Sequence, residues 1–295
     1  MWATPAPAGA ESAINPRTLP HPVPVSVPER QNLQLVLQWW REVIEAGHLE
    51  RVPYFQAESY IQHNPNINTG RAGFLEAFGK DNSPVNPIPA RLEEPPALAG
   101  ARGDYVWVLW ERRRAASPTT PLYYQNRFEL LRVQRGQVQE HWDADLKHAG
   151  TGVVRFGQSP RPPKEFATGA PTAAERAARR IAIEAATQVY LQHRIELADR
   201  LIAADYIEHD PNLAHLETLH ARLKAFEPPA RLEAEEPVIV IVNGEYVLMM
   251  WNLTSPDPDD VTRRYPWNYF QLMRVRGGKV VEHWDQDAWH TPGAD

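Results

Sequence analysis

The chain of 295 residues contains no cysteine. That excludes disulfides, thiolate metal sites and a cysteine nucleophile in one step. No apolar run approaches the roughly 18–20 residues that a helical membrane span needs. Basic residues are in the minority, 31 Lys and Arg against 37 Asp and Glu, for a net charge of −6. A nucleic-acid binder usually carries a basic field, so no nucleic-acid partner is expected, and no membrane partner either. Other signals are missing too. No Gly-x-Ser-x-Gly elbow, no phosphate-cradling glycine loop after a strand and no HExxH pair occurs. A metal set drawn from His63, His141 and Asp143 would be split by strand parity, so neither metal nor other cofactor is expected.

What is abundant is proline, 28 residues, and apolar residues at 43%. Such a chain can bury one large core or two ordinary ones. Residues 1–30 are rich in Pro and Ala and read as a flexible leader. They lack a basic n-region followed by an apolar h-region, so they are no signal peptide as written. The compartment stays open between cytoplasmic and exported, the latter with the signal peptide absent from this chain.

The chain repeats itself. "YIQHNPN" at Tyr60 returns as "YIEHDPN" at Tyr206, 146 residues later. "PARLE" recurs at Pro89 and Pro229, "GDYVWVLWE" at Gly103 matches "GEYVLMMWN" at Gly244, and "EHWDAD" at Glu140 matches "EHWDQD" at Glu282. Four matches in one order mark a tandem duplication with a unit of about 115–120 residues, the size of a small domain. The Gly, Pro and Ser content of the intervening stretch marks a linker. The expected limits are 31–148 and 173–291, with the linker at 149–172.

Each unit begins with a helix, carried by Val36, Trp39, Trp40, Val43 and Ile44 in the first copy and by Ile183, Ala186, Val189, Tyr190 and Ile195 in the second. A short helix, the histidine motif and a further helix follow. The remainder reads as strands closed by a hairpin, "YQNRFELLRVQ-RG-QVQEHWDAD" and "PWNYFQLMRVR-GG-KVVEHWDQD", whose central pairs suit a two-residue turn at positive φ. Helices first and an antiparallel meander after them make an α+β domain, a curved sheet wrapped over helices.

The histidine motif and the "GQVQEHWD" and "GKVVEHWD" endings resemble the SnoaL-like branch of the nuclear transport factor two-like superfamily. More narrowly, they resemble its bacterial members described as aldol-condensation-type or polyketide-cyclase-like enzymes. The resemblance covers nearly all of both units. It implies a cone-shaped α+β fold with a pocket between helices and sheet. It also implies association through outer sheet faces, here as an intramolecular pseudo-dimer in a chain that is otherwise monomeric. It further implies an acid/base Asp on the last strand, for which Asp143 and Asp285 are the nearest residues. The family's Asp-x-Phe-Arg pattern before the hairpin turn is replaced by Glu129-Leu-Leu-Arg132 and Gln271-Leu-Met-Arg274. Gly70 becomes Leu216 in the second copy. The first copy is therefore expected to hold the better-formed pocket.

With a tight turn at Arg135-Gly136 the hairpin pairing puts Glu129, Leu131, Val133, Val138, Glu140 and Trp142 on one face. That face is the more apolar and is expected to look into the cone. Glu140 and Glu282 then become desolvated carboxylates beside a Trp, either general acids or bases or ties to a helix end. His141 and His283 are expected to face outward with Asp143 and Asp285 unless a bulge turns the strand end. His63 and His209 are expected at the pocket mouth, either polarising a carbonyl or shaping their loop. Tyr60, Trp110, Glu129 and Trp142, with Tyr206, Trp251 and Trp284, are the expected pocket walls. Two functions stay open. One is a cofactor-free cyclase, isomerase or dehydratase acting on a small apolar carbonyl compound. The other is a non-catalytic ligand-binding or scaffold protein.

Overall fold

The computed structural model describes residues 26–80, 84–114, 123–157, 171–210, 213, 216–226 and 236–286. Most of the leader, the second "PARLE", Pro211 and Asn212 lie outside the described residues. The first helix, α1 (Val27–Trp39), begins inside the expected leader. Glu29 explains this early start. Its carboxylate accepts the Ser26 N–H at 2.8 Å and the Gly103 N–H at 2.9 Å, so one side chain closes the helix and ties it to a strand turn. The second copy repeats the device. Glu175 accepts from the Thr172 N–H at 2.8 Å at the start of α4 (Ala173–Glu184).

Both helices end in π-helical turns, Trp40–Glu45 and Ala185–Leu191. A short helix α2 (Val52–Phe55) leads into β1 (Gln56–Gln62), a strand not expected between the short helix and the histidine motif. Helix α3 (Arg71–Gly79) follows, and then β2 (Leu98–Arg102), β3 (Tyr105–Arg114), β4 (Tyr123–Gln134) and β5 (Gln137–Asp143). The second unit matches this order with α5 (Ala198–Leu201), β6 (Ile202–Glu208), α6 (Leu219–Ala225), β7 (Ile239–Asn243), β8 (Tyr246–Asp257), β9 (Asp260–Arg276) and β10 (Lys279–Asp285). The sheets run β1-β5-β4-β3-β2 and β6-β10-β9-β8-β7. Only the β1/β5 and β6/β10 pairs are parallel, so each unit is helices on a mainly antiparallel sheet. Positive φ at Arg135 and Gly136, and at Gly277 and Gly278, confirms two-residue turns in both hairpins.

The register then departs from the expectation. Val133 pairs with Val138, but Arg132 pairs with Glu140, which leaves Gln139 as an extra residue. Val281 is extra in the same way between the Val280 and Glu282 pairs. A bulge of one residue flips every side chain beyond it to the opposite face. Beyond the bulge, His141 and Asp143 therefore join Leu131 and Val133 against the helices. Glu140 and Trp142 turn away, and so do Glu282 and Trp284.

Each inner face closes a separate core. In the first unit Trp39, Trp40 and Phe74 pack on Val106, Val108, Trp110 and Leu131. In the second, Ala182, Ala185 and Tyr190 pack on Met249, Trp251, Tyr269 and Met273. The outer faces share a third cluster that draws Trp107, Phe128, Leu130 and Trp142 together with Leu248, Met250, Phe270 and Trp284. Phe128 and Phe270 stack at 5.6 Å with their planes 6° apart. Polar pairs frame this contact reciprocally. Asn126 donates to the Asp285 carbonyl at 2.9 Å, and its counterpart Asn268 donates to the Asp143 carbonyl at 2.9 Å. Truncating such a side chain removes apolar contact and leaves a cavity. Phe270→Ala should therefore cost about 3–5 kcal/mol in urea unfolding. A loss below about 1 kcal/mol would mean that the shared face is not a core.

Candidate functional site

The bulges decide which residues meet inside each cone. In the first unit β4 supplies Glu129, β5 supplies His141 and Asp143, and β1 supplies Tyr60 and Gln62. His141 Nε2 makes a short hydrogen bond to Glu129 Oε2, and its Nδ1 lies 3.1 Å from Gln62 Oε1. Arg127 donates to Glu129 Oε1 at 2.5 Å and lies over the Trp40 ring, which stacks on Trp110 at 4.3 Å. Burial opposes charge on both partners. The Glu129 carboxylate nevertheless raises the His141 pKa, while Arg127 and His141 hold the Glu129 pKa below its ordinary value. The pair is an imidazolium–carboxylate ion pair in a dry setting.

Asp143 sits beside it, 2% exposed, with His141 Nδ1 at 3.9 Å. Asn64 donates to it at 2.8 Å and to Asp145 at 2.9 Å. Burial, reinforced by repulsion from Asp145, pushes the Asp143 carboxyl up to about 7. A carboxyl with that pKa exchanges protons readily at neutral pH. Glu129, His141 and Asp143 also place three ligand atoms within 4.8 Å of one another, the donor set of a small metal site. The direct His141–Glu129 contact and the Arg127 cation use that set internally.

The second unit repeats the frame with different chemistry. Gln271, His283 and Asp285 stand at the matching positions, with Glu208 where Gln62 stands in the first copy. Glu208 lies 3.0 and 3.1 Å from His283 Nδ1 through its two oxygens and accepts from Tyr206 Oη at 3.1 Å. Asp285 accepts from Tyr269 Oη at 2.9 Å. Burial and the nearby Asp210 push its carboxyl well above the ordinary range.

Tyr60, Trp110, Glu129, Tyr206 and Trp251 lie on the inner faces, where pocket walls were expected. The remaining residues require correction. His63 stacks on Trp142 at 4.8 Å and lies 2.9 Å from Glu140 Oε1, whose other oxygen accepts from Arg132 Nε at 2.8 Å. His209 stacks on Trp284 at 4.3 Å and lies 3.6 Å from Glu282, which Arg274 also binds. The other unit's Asn268 and Asn126 reach the carbonyls of His63 and His209. His63, Glu140 and Trp142, like His209, Glu282 and Trp284, thus line the contact between the sheets rather than a pocket. The cause is the bulge, which turned Glu140 and Glu282 off the core face. Sequence reasoning missed Gln62, Asn64, Arg127 and Glu208, although Gln62 and Glu208 occupy the variable place in Tyr-Ile-x-His.

A carboxyl raised from 3.8 to about 7 stabilises the fold in its neutral form. That contribution is complete below about pH 4 and is lost as pH rises through about 7. Asp143→Asn removes the titration. The stability of Asp143→Asn relative to the parent should therefore improve between pH 4.5 and 8, on the order of 2–4 kcal/mol. Urea midpoints at the two pH values test this, and a pH-independent difference would show that Asp143 ionises normally.

Residues 183–283 match the SnoaL-like domain family. Among solved structures, IdmH from Streptomyces antibioticus, provisionally described as a polyketide cyclase, is 18% identical and covers 38% of this chain and 90% of that chain, with a TM-score of 0.29. An NTF2-like protein of unknown function from Pseudomonas putida KT2440 is 16% identical and covers 46% of this chain and 99% of that chain, with a TM-score of 0.28. No curated protein matches the chain at a significant level. The family match falls on the segment that carries β6 through most of β10, and that segment is similar to SnoaL-like domains.

Proposed function

We propose that the protein is a cofactor-independent acid/base enzyme of the cyclase, isomerase or dehydratase type, acting on a small, largely apolar carbonyl compound held between helices and sheet. The observation that carries this is the last-strand pair of His and Asp on the inner face of each unit. Asp143 and Asp285 are both buried, and both are pushed up by burial and a neighbouring carboxylate. A carboxyl in that state can give or take a proton beside a carbonyl at neutral pH, and a charged or polar neighbour can hold the oxyanion that develops. Of the residues first considered for proton transfer, Asp143 and Asp285 keep that role. His63, Glu140, His209 and Glu282 are assigned to joining the two sheets. The proposal treats residues 31–148 and 173–291 as two domains of an intramolecular pseudo-dimer, linked by 149–172.

The reading is tested by proton exchange, which needs no natural substrate. Deuterium incorporation next to the carbonyl of a panel of small cyclic ketones is followed by NMR in D2O. Asp143→Asn combined with Asp285→Asn should lower the protein-catalysed rate about 10²–10⁴-fold. An undiminished rate, or no catalysed exchange by the parent protein on any ketone, would favour the ligand-binding reading instead.

A further inference from the structure

The two buried histidines have exchanged carboxylate partners between strands. In the first unit the acid comes from β4, Glu129, and the amide from β1, Gln62. In the second the acid comes from β6, Glu208, and the amide from β9, Gln271. Each histidine keeps one Glu and one Gln, while the nitrogen that the Glu engages changes. In the first unit Glu129 occupies Nε2 and Gln62 faces Nδ1. Both ring nitrogens of His141 are therefore used. In the second unit Glu208 holds Nδ1 with both oxygens, and His283 Nε2 is fully buried with no hydrogen-bond partner among the described residues.

That nitrogen is not isolated. Gln271 Oε1, Asp285 Oδ1 and Trp251 Nε1 are also buried without partners. All four side chains rise from β8, β9 and β10 on the inner face, where Trp251 and Tyr269 lie 5.7 Å apart and Gln271 donates to Tyr269 Oη at 2.8 Å. Buried polar atoms without partners each cost about 1–3 kcal/mol, so a cluster of them implies an occupant that satisfies them. In the first unit Trp39 Nε1 is also unpartnered, but no atom of His141 is. A groove of about 450 Å³ runs between α4 and β7 of the second unit, bordered by Ile183, Thr187, Gln188, Glu236 and Val240. Val240 belongs to the same core cluster as Trp251.

We propose that the second unit is the working one, with His283 Nε2 as the base that takes a proton from carbon next to a carbonyl, and that the first unit's His141 is a fixed structural ion pair. Glu208 accepts from Nδ1–H, fixes the tautomer and leaves the Nε2 lone pair without a partner among the described residues. The C–H bond breaks, its proton goes to Nε2 and its electron pair forms the C=C bond of an enolate. The carbonyl oxygen takes the negative charge, and the Trp251 N–H is an unpartnered donor on the same inner face among the described residues. In a β,γ-unsaturated ketone this enolate is a dienolate, and return of the proton from Nε2 to its γ carbon completes a double-bond isomerisation with no other reactant. This assignment rests on the acid/base reading above, so its test includes readouts that do not require turnover.

The probe is 4-nitrophenol, a planar apolar ring with an acidic O–H that mimics an enol. Ring-nitrogen NMR of the full-length protein labelled at histidine should show His283 as the neutral Nδ1–H tautomer. The probe should shift His283 Nε2 and leave His141 unmoved. The exchange variant Glu208→Gln with Gln271→Glu keeps the charge and copies the first unit's arrangement. It should engage Nε2, weaken probe binding at least 10-fold and reduce ketone exchange about 10²-fold or more. The mirror variant Gln62→Glu with Glu129→Gln should free His141 Nε2 and let the probe perturb it. The proposal is overturned if His283 is the other tautomer. It is equally overturned if the probe reaches His141 in the parent protein, or fails to shift His283 up to its solubility limit. Probe binding that tracks the exchange without ketone turnover would overturn the enzyme reading while leaving the second unit as the ligand site.

Discussion

A single extra residue in each last strand, Gln139 and Val281, governs the rest of the molecule. The bulge lets β5 and β10 serve two faces in succession. Before it, Val138 and Val280 point inward. After it, His141, Asp143, His283 and Asp285 do so instead, while Trp142 and Trp284 swing into the contact between sheets. Bulges bend a strand and raise its twist, which a sheet needs to curl around a helix. The same local feature therefore curves the cone, places titratable groups inside it and puts aromatic area on the joining face.

The joining face accounts for residues that would otherwise resemble catalytic groups. Arg132–Glu140–His63 stacked on Trp142, and Arg274–Glu282–His209 stacked on Trp284, are matching constructions at the two ends of the shared cluster. Each satisfies its carboxylate from both sides, which lets charge sit beside an apolar contact without a large desolvation penalty. Lys147 adds a further bond between the copies. It reaches Asp257 at 2.5 Å and Asp259 at 3.0 Å, and Asp259 also accepts the Gly150 and Gly152 N–H groups. Gly150 and Gly152 are thereby held on the second unit's long hairpin.

Much of this was legible in the sequence. The repeat, the α+β order and the hairpin turns follow from spacing and composition, because turn chemistry and apolar periodicity are local. The strand Gln56–Gln62 was not, since it pairs in parallel with β5 across more than seventy residues. The facing of Glu140 and His141 was not either. A two-residue turn sets register only until a bulge interrupts it, and no Gly or Pro stands at Gln139 or Val281 to mark one. Those two missed positions account for the whole inversion of the candidate site.

One signal needed no structure. Set side by side, the copies show Gln62 against Glu208 and Glu129 against Gln271. Read singly, the second change removes an acid and argues for a degraded second site. The two changes together carry another meaning, because both positions border the same buried imidazole from opposite strands. Charge inside a core is expensive unless paired, so a buried histidine tolerates relocation of its carboxylate far better than loss or doubling of it. The exchange keeps one carboxylate on the imidazole and changes which nitrogen it engages. A fold duplicated within one chain can in this way hold one copy rigid and leave the other a free buried lone pair, without altering the apolar packing of either cone.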